Sequence, residues 1–186
     1  MRIPIGLSQQ EEKYLNAYVN SISKEYFGGS YKPKIKPKLG KLPESVGGVT
    51  KTSCTPYGCK PESIILNETE QAFHLYMRLV APFHEKTHEA HTKELPYLPM
   101  AVGEAFIEGL TVYTNIKELL KKGETMFAKV YFNSLSPAYK QYYNQMEELE
   151  QKGVSIKDFA KMANQKGKEI VLRKKYSLSG NAGKYN

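Results

Sequence analysis

Tryptophan is absent from this 186-residue sequence, and cysteine occurs only twice. No apolar run approaches the roughly 20 residues that a membrane-spanning helix needs, so we expect no membrane association. The first ten residues carry neither the basic stretch nor the apolar stretch of a signal peptide. These absences favour a cytoplasmic location, while a hydrophobic content of 40% with 14 tyrosines is typical of a folded chain.

Charge is distributed unevenly along the chain, which has a net charge of +8. Residues 1–66 hold ten Lys and Arg against five acidic residues, and residues 151–186 hold nine against two. Residues 67–150 instead hold eight Lys and Arg against twelve acidic residues. Basic ends of this kind suit nucleic acid or another anionic partner. We favour the simpler interpretation that they are solvated lysines on a linker and a terminal helix.

The two cysteines, Cys54 and Cys59, flank the turn-forming sequence Pro56-Tyr57-Gly58. This spacing predicts that the thiols face each other across a tight hairpin. A disulfide, two free thiols and half of a metal site are all compatible with it. The metal half-site is the weakest interpretation, because a structural zinc ion needs about four ligands and there is no second cysteine pair. A disulfide is unusual in a cytoplasm, so the redox state stays open.

Periodicity and turn residues predict an α+β fold, with one domain over residues 1–176. Ser8 and Glu11 form a capping box that starts a helix over residues 8–27. Residues 31–39 contain two prolines, which leaves an extended edge strand or a linker. Strands are then expected around the Pro-Tyr-Gly turn, over residues 46–54 and 63–67, which makes a small sheet of about three strands.

The second half of the chain is predicted to be helical. One helix begins at Glu68 and runs to the Pro-containing break at 95–99, with Pro82 expected to kink or restart it. Ser136 and Pro137 are typical of a helix cap and first turn. Further helices are expected over residues 100–120, 124–135, 137–151 and 155–176, followed by a disordered tail at 177–186.

All four histidines lie between positions 74 and 91. His84 and His88 are four residues apart, which places them on one face of a helix. Two imidazoles in this arrangement can hold one Zn²⁺, and Glu85, one step around the helix, can serve as a general base. Random placement gives this His-Glu-x-x-His pattern with a probability of about 1%, so the motif alone is only suggestive.

A zinc site of this type needs a third protein ligand, which Glu108 on the next predicted helix can supply. A helical hairpin through the Pro-rich loop would bring Glu108 over the histidine pair. Gly109 beside it is expected to let the two helices approach closely. Glu104, one turn earlier on the same face, is the alternative ligand or a residue that orients a histidine.

Together these two motifs resemble the gluzincins, zinc peptidases with His-Glu-x-x-His on one helix and a glutamate ligand on the next. In many gluzincins the second helix reads Glu-Gly-(Leu/Phe)-Ala-x-Tyr, and residues 108–113 match this except for Thr111 in place of Ala. The resemblance covers residues 8–115, and its order of elements is closest to the compact minigluzincins. Residues 116–176 would then form a helical C-terminal subdomain of a zincin-like fold.

The resemblance implies a zinc metallopeptidase that cleaves a peptide or protein substrate. His84, His88 and Glu108 would hold one zinc ion, and Glu85 would activate the zinc-bound water. The substrate would lie extended along a sheet edge. A downstream residue often stabilises the oxyanion in this family, and Tyr139, Tyr142 and Tyr143 are available for that role.

Three residues near the motif depart from the family pattern: Pro82, Lys86 and Glu89. Gluzincin helices usually carry uncharged residues there and avoid proline. The charge of Lys86 predicts that this face of the helix meets solvent or an acidic partner.

His91 shares the helix face of His88, but its rise from His84 is about 10.5 Å, too far for one helix to wrap one ion. We therefore expect it to support a ligand or to lie on the surface, with His74 in the flanking core or surface. A di-iron bundle would need a second Glu-x-x-His on another helix, and there is none. The alternative function is a non-catalytic, basic binding module with a structural metal or none.

Overall fold

The computed structural model of the protein describes residues 7–43, 46–68 and 75–181. Within these ranges the fold is α+β, as predicted, with six α-helices and a three-stranded mixed sheet. The elements are α1 (Gln9–Ile22), β1 (Lys38–Gly40), β2 (Gly48–Thr55), β3 (Gly58–Asn67), α2 (Leu75–Glu94), α3 (Glu104–Lys121), α4 (Thr125–Ser134), α5 (Pro137–Gln151) and α6 (Ile156–Asn181).

The first helix follows from its capping box and its apolar stripe. The Ser8 hydroxyl accepts from the Glu11 N–H, and the Glu11 carboxylate accepts from the Ser8 N–H. The stripe is completely buried and consists of Leu15, Val19 and Ile22. A π-helical turn at Ser23–Phe27 extends α1, so the predicted helix over 8–27 is confirmed.

The sheet has the order β1-β3-β2, with β1 parallel and β2 antiparallel to β3. Only Lys38–Gly40 of the two-proline segment pairs as a strand, because proline lacks the N–H that a ladder requires. That strand lies at the sheet edge, as the lysines and prolines predicted. Ile64 and Leu66 alternate along β3 and bury their side chains, since alternate residues of a strand face the same side.

A disulfide joins Cys54 and Cys59 across the β2–β3 hairpin, which answers the question that the sequence left open. The two residues are paired in the strand register next to the turn. The Cys59 N–H also donates to the Pro96 carbonyl at 2.7 Å. The hairpin is therefore bound to the loop that follows α2.

The second helix lies at the centre of the molecule and contacts β2, β3, α1, α3 and α4. It continues through Pro82, so the expectation of a restart there is wrong. A proline inside a helix removes one backbone hydrogen bond, and α2 continues past Pro82 despite this loss. Glu68, the predicted start of this helix, is followed by residues 69–74, which lie outside the described residues and include His74.

The helices that follow match their predicted positions closely, and Ser136 caps α5 as expected. The last helix continues past Tyr176 to Asn181, and residues 182–186 lie outside the described ranges. One apolar core joins residues from α1 to α6, and the predicted boundary between residues 115 and 116 falls inside α3. None of the described helices is long and apolar enough to cross a membrane.

Helix α6 lies close to the backbone at Tyr97, which precedes a 3₁₀ turn at Leu98–Met100. The Asn164 side chain accepts from the Tyr97 N–H at 2.8 Å. A Cβ atom added to Gly167 would lie 2.0 Å from the Tyr97 carbonyl oxygen. Glycine at this position therefore allows α6 to pack against the loop between α2 and α3.

We expect Gly167→Ala to destabilise the protein, although alanine normally favours a helix by about 1 kcal/mol over glycine. The added methyl group must push α6 away from Tyr97, and such overpacking costs about 1–3 kcal/mol. Urea unfolding monitored by circular dichroism measures this change. The control is Gln165→Ala, an exposed position on the same helix, which should change stability by less than about 0.5 kcal/mol. Equal stability of the two variants would contradict the close approach.

Candidate metal centre

The two motif histidines lie side by side on α2. Their ring centroids are 4.6 Å apart, and the Nε2 atom of His84 lies 2.9 Å from that of His88. Each residue retains about 9% of its accessible surface, so the pair is almost buried but still reaches a surface. The four-residue spacing and the predicted common helix face are both present.

The chain reverses between α2 and α3 and brings Glu108 to the same point. The Oε2 atom of Glu108 lies 3.0 Å from His84 Nε2 and 3.1 Å from His88 Nε2. The predicted helical hairpin is therefore present. It places three candidate ligand atoms in a nearly equilateral triangle.

The three candidate ligand atoms are about as far apart as the ligand atoms around a single small metal ion. Ligand atoms at 2.0–2.1 Å from a tetrahedral zinc ion lie about 3.3 Å apart, slightly more than the 2.9–3.1 Å seen here. Two imidazole nitrogens and one carboxylate form a donor set that zinc favours, and three ligands leave a fourth position open. Within the described residues this is the single group of three or more such side chains with converging ligand atoms.

The surroundings of Glu108 favour its negatively charged form, and that carboxylate in turn favours positive charge next to it. Burial raises the pKa of the Glu108 carboxyl, but hydrogen bonds from His84 and His88 outweigh burial and hold the pKa well below its usual range. Burial lowers the pKa of His88, yet the hydrogen bond and charge of Glu108 raise it above its ordinary value overall. The carboxylate is therefore ionised, and the point between these residues attracts a cation or a proton.

His84 is held from behind by a chain of hydrogen bonds that the sequence did not predict. Its Nδ1 atom lies 2.7 Å from the Tyr131 hydroxyl, and that hydroxyl accepts from the Asn115 amide at 2.9 Å. The Thr87 hydroxyl in turn lies 2.7 Å from the Asn115 side-chain oxygen. Burial raises the pKa of Tyr131 well above its ordinary value, so the phenol is neutral.

His88 has its own partner in His91, whose Nε2 atom lies 2.8 Å from His88 Nδ1. His91 is 1% exposed, and burial lowers its pKa well below the ordinary value, which leaves the ring neutral. The expectation that His91 supports a ligand rather than binding the same ion agrees with this contact. Glu104 is exposed at the start of α3, and its carboxylate is not among the converging ligand atoms.

Glu85 lies next to the histidines and points toward β2. The Thr50 hydroxyl donates to its Oε2 atom at 2.6 Å. A Cβ atom added to Gly48 would lie 2.8 Å from the Glu85 Cγ atom, so glycine is what allows the carboxylate side chain to lie against the strand. Thr50 and Gly48 were not predicted as site residues, because their role depends on how β2 packs against α2.

A cleft of about 480 Å³ opens beside Glu85 and His84. Its apolar walls come from α2, from the segment that leads into β2 and from the residue that follows α4: Val80, Ala81, Val46 and Leu135. The side-chain amide of Asn67 contacts the Val46 carbonyl at 3.0 Å and so fixes this end of the wall. The cleft therefore combines a carboxylate, a histidine and an apolar surface.

Tyr139 is the one member of the predicted tyrosine trio that lines the cleft. Its ring stacks on His84 with centroids 5.9 Å apart, and burial raises the pKa of its phenol. Tyr142 packs beside Tyr139, with ring centroids 6.0 Å apart. Tyr143 instead packs on Phe132 and donates to Glu147, so its hydroxyl is already engaged.

The charged residues inside and after the motif do not face solvent, and of the two surroundings predicted for Lys86 the acidic partner is the one present. Lys86 is 0% exposed, and its Nζ atom lies 3.6 Å from Glu12 on α1, which is an acidic partner within the same chain. Glu89 is also 0% exposed and accepts from the Tyr31 hydroxyl and from the N–H groups of Lys34 and Ile35. Both side chains point away from the histidines because they connect α2 to the N-terminal segment.

Gly109 also has a different role from the predicted one. A Cβ atom there would lie 3.1 Å from the Tyr142 carbonyl oxygen and 3.1 Å from Met146, both on α5. The glycine therefore allows α5, rather than α2, to approach α3.

Comparisons with protein-family models, curated proteins and solved structures find no match for this chain.

We expect Lys86→Met to be at least as stable as the wild type near pH 7. Burial lowers the pKa of Lys86 below its ordinary value of 10.5, and Glu12 and Glu89 offset only part of this effect. A methionine of similar length removes the buried charge without leaving a cavity.

The stability advantage of Lys86→Met over the wild type should shrink as the pH rises toward 10.5, the ordinary pKa of lysine. Between the lowered folded pKa and the unfolded one, the unfolded wild-type chain binds more protons, so wild-type stability rises with pH. Chemical unfolding of both proteins across this window measures the difference. Lys129→Met, at an exposed position, should show no such trend. A strongly destabilised Lys86→Met would contradict the argument.

Proposed function

We propose that the protein is a zinc metallopeptidase of the gluzincin type with a zincin-like fold. The observation that supports this most strongly is the convergence of His84 Nε2, His88 Nε2 and Glu108 Oε2 within 3.1 Å of one another. A carboxylate from the same helix turn, Glu85, lines the adjoining cleft. Glu85 and His84 line the same cleft, which supports a role for Glu85 beside the candidate metal centre.

Zinc supplies Lewis acidity when it is bound, polarising a carbonyl and lowering the pKa of a water ligand. His84, His88 and Glu108 fit such an ion through their donor types and their spacing. Glu85 would take a proton from water in the cleft and pass it to the leaving amine. The Thr50 hydroxyl donates to one carboxylate oxygen, so the other remains available for proton transfer.

The position of the cleft beside an edge strand supports an extended peptide as substrate. Its wall at residues 46–48 leads into β2, which forms one edge of the described sheet. Backbone groups on an edge strand can pair with an added strand, and pockets beside it can take alternate side chains. Tyr139 is the member of the predicted trio best placed to donate a hydrogen bond in the cleft, because its ring packs directly on His84.

The zinc-binding prediction is tested by elemental analysis of purified protein and two variants. Wild type should contain about one zinc ion per chain, and His88→Ala and Glu108→Ala should lose it, since each removes one of three ligands. Glu104→Ala is the matched control, because this exposed glutamate on the same helix is not a ligand. A wild type without zinc, or a Glu108→Ala variant that retains it, would reject the centre.

Catalysis is tested separately with Glu85→Gln, which retains the shape of the side chain but cannot accept a proton. We expect zinc to stay bound while kcat/KM on a mixture of quenched fluorescent peptides falls by about 10²–10⁴-fold. Glu148→Gln, at an exposed position on α5, should retain wild-type activity. A Glu85→Gln variant as active as wild type would overturn the mechanism. Zinc binding by a wild type that cleaves no peptide would instead favour the basic binding module.

A further inference from the structure

Tyr131 is the residue behind the candidate centre that no sequence motif identified. It is 0% exposed, and its hydroxyl lies 2.7 Å from Nδ1 of His84, the ring nitrogen that faces away from the three converging ligand atoms. Its ring also packs edge-on against Phe83, with centroids 6.1 Å apart. From this position the hydroxyl can orient the His84 imidazole, but it cannot contact an ion at Nε2 on the opposite side of the ring.

Two further side chains hold the Tyr131 hydroxyl in place. The Asn115 amide nitrogen donates to it at 2.9 Å. The Asn115 side-chain oxygen faces the Thr87 hydroxyl at 2.7 Å, so the hydrogen-bonding pattern determines which way the amide points. Thr87 and Asn115 are both 0% exposed, and this chain therefore runs entirely through the interior.

A phenol differs from the carboxylate or carbonyl that often supports a metal-bound histidine, because it can both donate and accept. When His84 Nε2 binds a metal, its Nδ1 carries the proton and donates to Tyr131. When Nε2 carries the proton and donates to Glu108, Nδ1 accepts from the Tyr131 hydroxyl. The ring can stay in one orientation in both states, since Asn115 occupies only one lone pair of the phenol oxygen.

We propose that Tyr131, oriented by Asn115 and Thr87, is the positioning residue that holds His84 ready for metal in both the empty and the loaded centre. This inference rests on the proposed metal-binding function and adds the buried side chains on which that function depends. Tyr139 contacts the same imidazole but stacks on its face, so its hydroxyl has no part in this chain. The two tyrosines therefore form a natural pair of test and control.

Zinc affinity, measured by competition with a chromogenic chelator, is the primary test. Tyr131→Phe should bind zinc about 10–100-fold more weakly, the usual loss when the hydrogen-bond partner of a ligand is removed. Tyr139→Phe removes a hydroxyl near the same ring and should retain wild-type affinity. An affinity of Tyr131→Phe equal to that of wild type would overturn the proposal.

Variants of Thr87 test the same hydrogen-bonded chain with a smaller change to the core, in case Tyr131→Phe folds poorly. Thr87→Val removes the hydroxyl at nearly constant volume and should weaken zinc binding, whereas Thr87→Ser retains the hydroxyl and should preserve it. Adding Thr87→Val to Tyr131→Phe should cause no further loss, because both changes act through one hydrogen-bonded chain. Additive losses in the double variant would contradict a single chain.

A spectroscopic measurement separates positioning from a merely structural role. In ¹⁵N spectra of the zinc-loaded wild type, His84 should show a protonated Nδ1 with a downfield proton, and Tyr131→Phe should lose that downfield shift. A Tyr131→Phe protein that melts earlier but binds zinc normally would overturn the proposal in favour of a structural role. A wild type that binds no zinc rejects the proposed function itself, which distinguishes the two failures.

Discussion

The close approach of three polar atoms in a nearly buried place is the constraint on which the rest of this structure depends. Two imidazole nitrogens and a carboxylate oxygen lie 2.9–3.1 Å from one another. Such groups repel or compete for protons unless a cation or shared protons lie between them. The helical hairpin of α2 and α3 must therefore be held firmly by contacts elsewhere.

Those contacts surround α2 on several sides. Glu89 connects it to the segment after α1, Lys86 lies beside Glu12, and Phe83 packs among aromatic rings of α1 and α4. Buried charges of this kind stabilise little by themselves, because their desolvation costs about as much as their attraction returns. Here the contacts of Glu89 and Lys86 orient α2. They determine which face of α2 meets the N-terminal segment and which face presents the histidines.

The cleft arises where the sheet and the C-terminal helices meet α2 from different directions. β2 contributes Gly48 and Thr50, which contact Glu85, while α4 and α5 contribute Tyr131 and Tyr139, which contact His84. The C-terminal helices are thus part of the candidate site rather than an appendage to it. One apolar core accordingly joins residues of α1 to α6.

Local sequence determined the helices, the hairpin and the candidate ligand positions of this protein. The helix caps, the apolar periodicity and the four-residue histidine spacing act over one or two helical turns, so they can be recognised without a fold. Only the tertiary structure decided the surroundings of those positions. Tyr131, Asn115 and Thr50 come from separate elements, Lys86 and Glu89 are buried rather than solvated, and Gly109 faces α5. No local pattern records such contacts, because they depend on how distant elements pack.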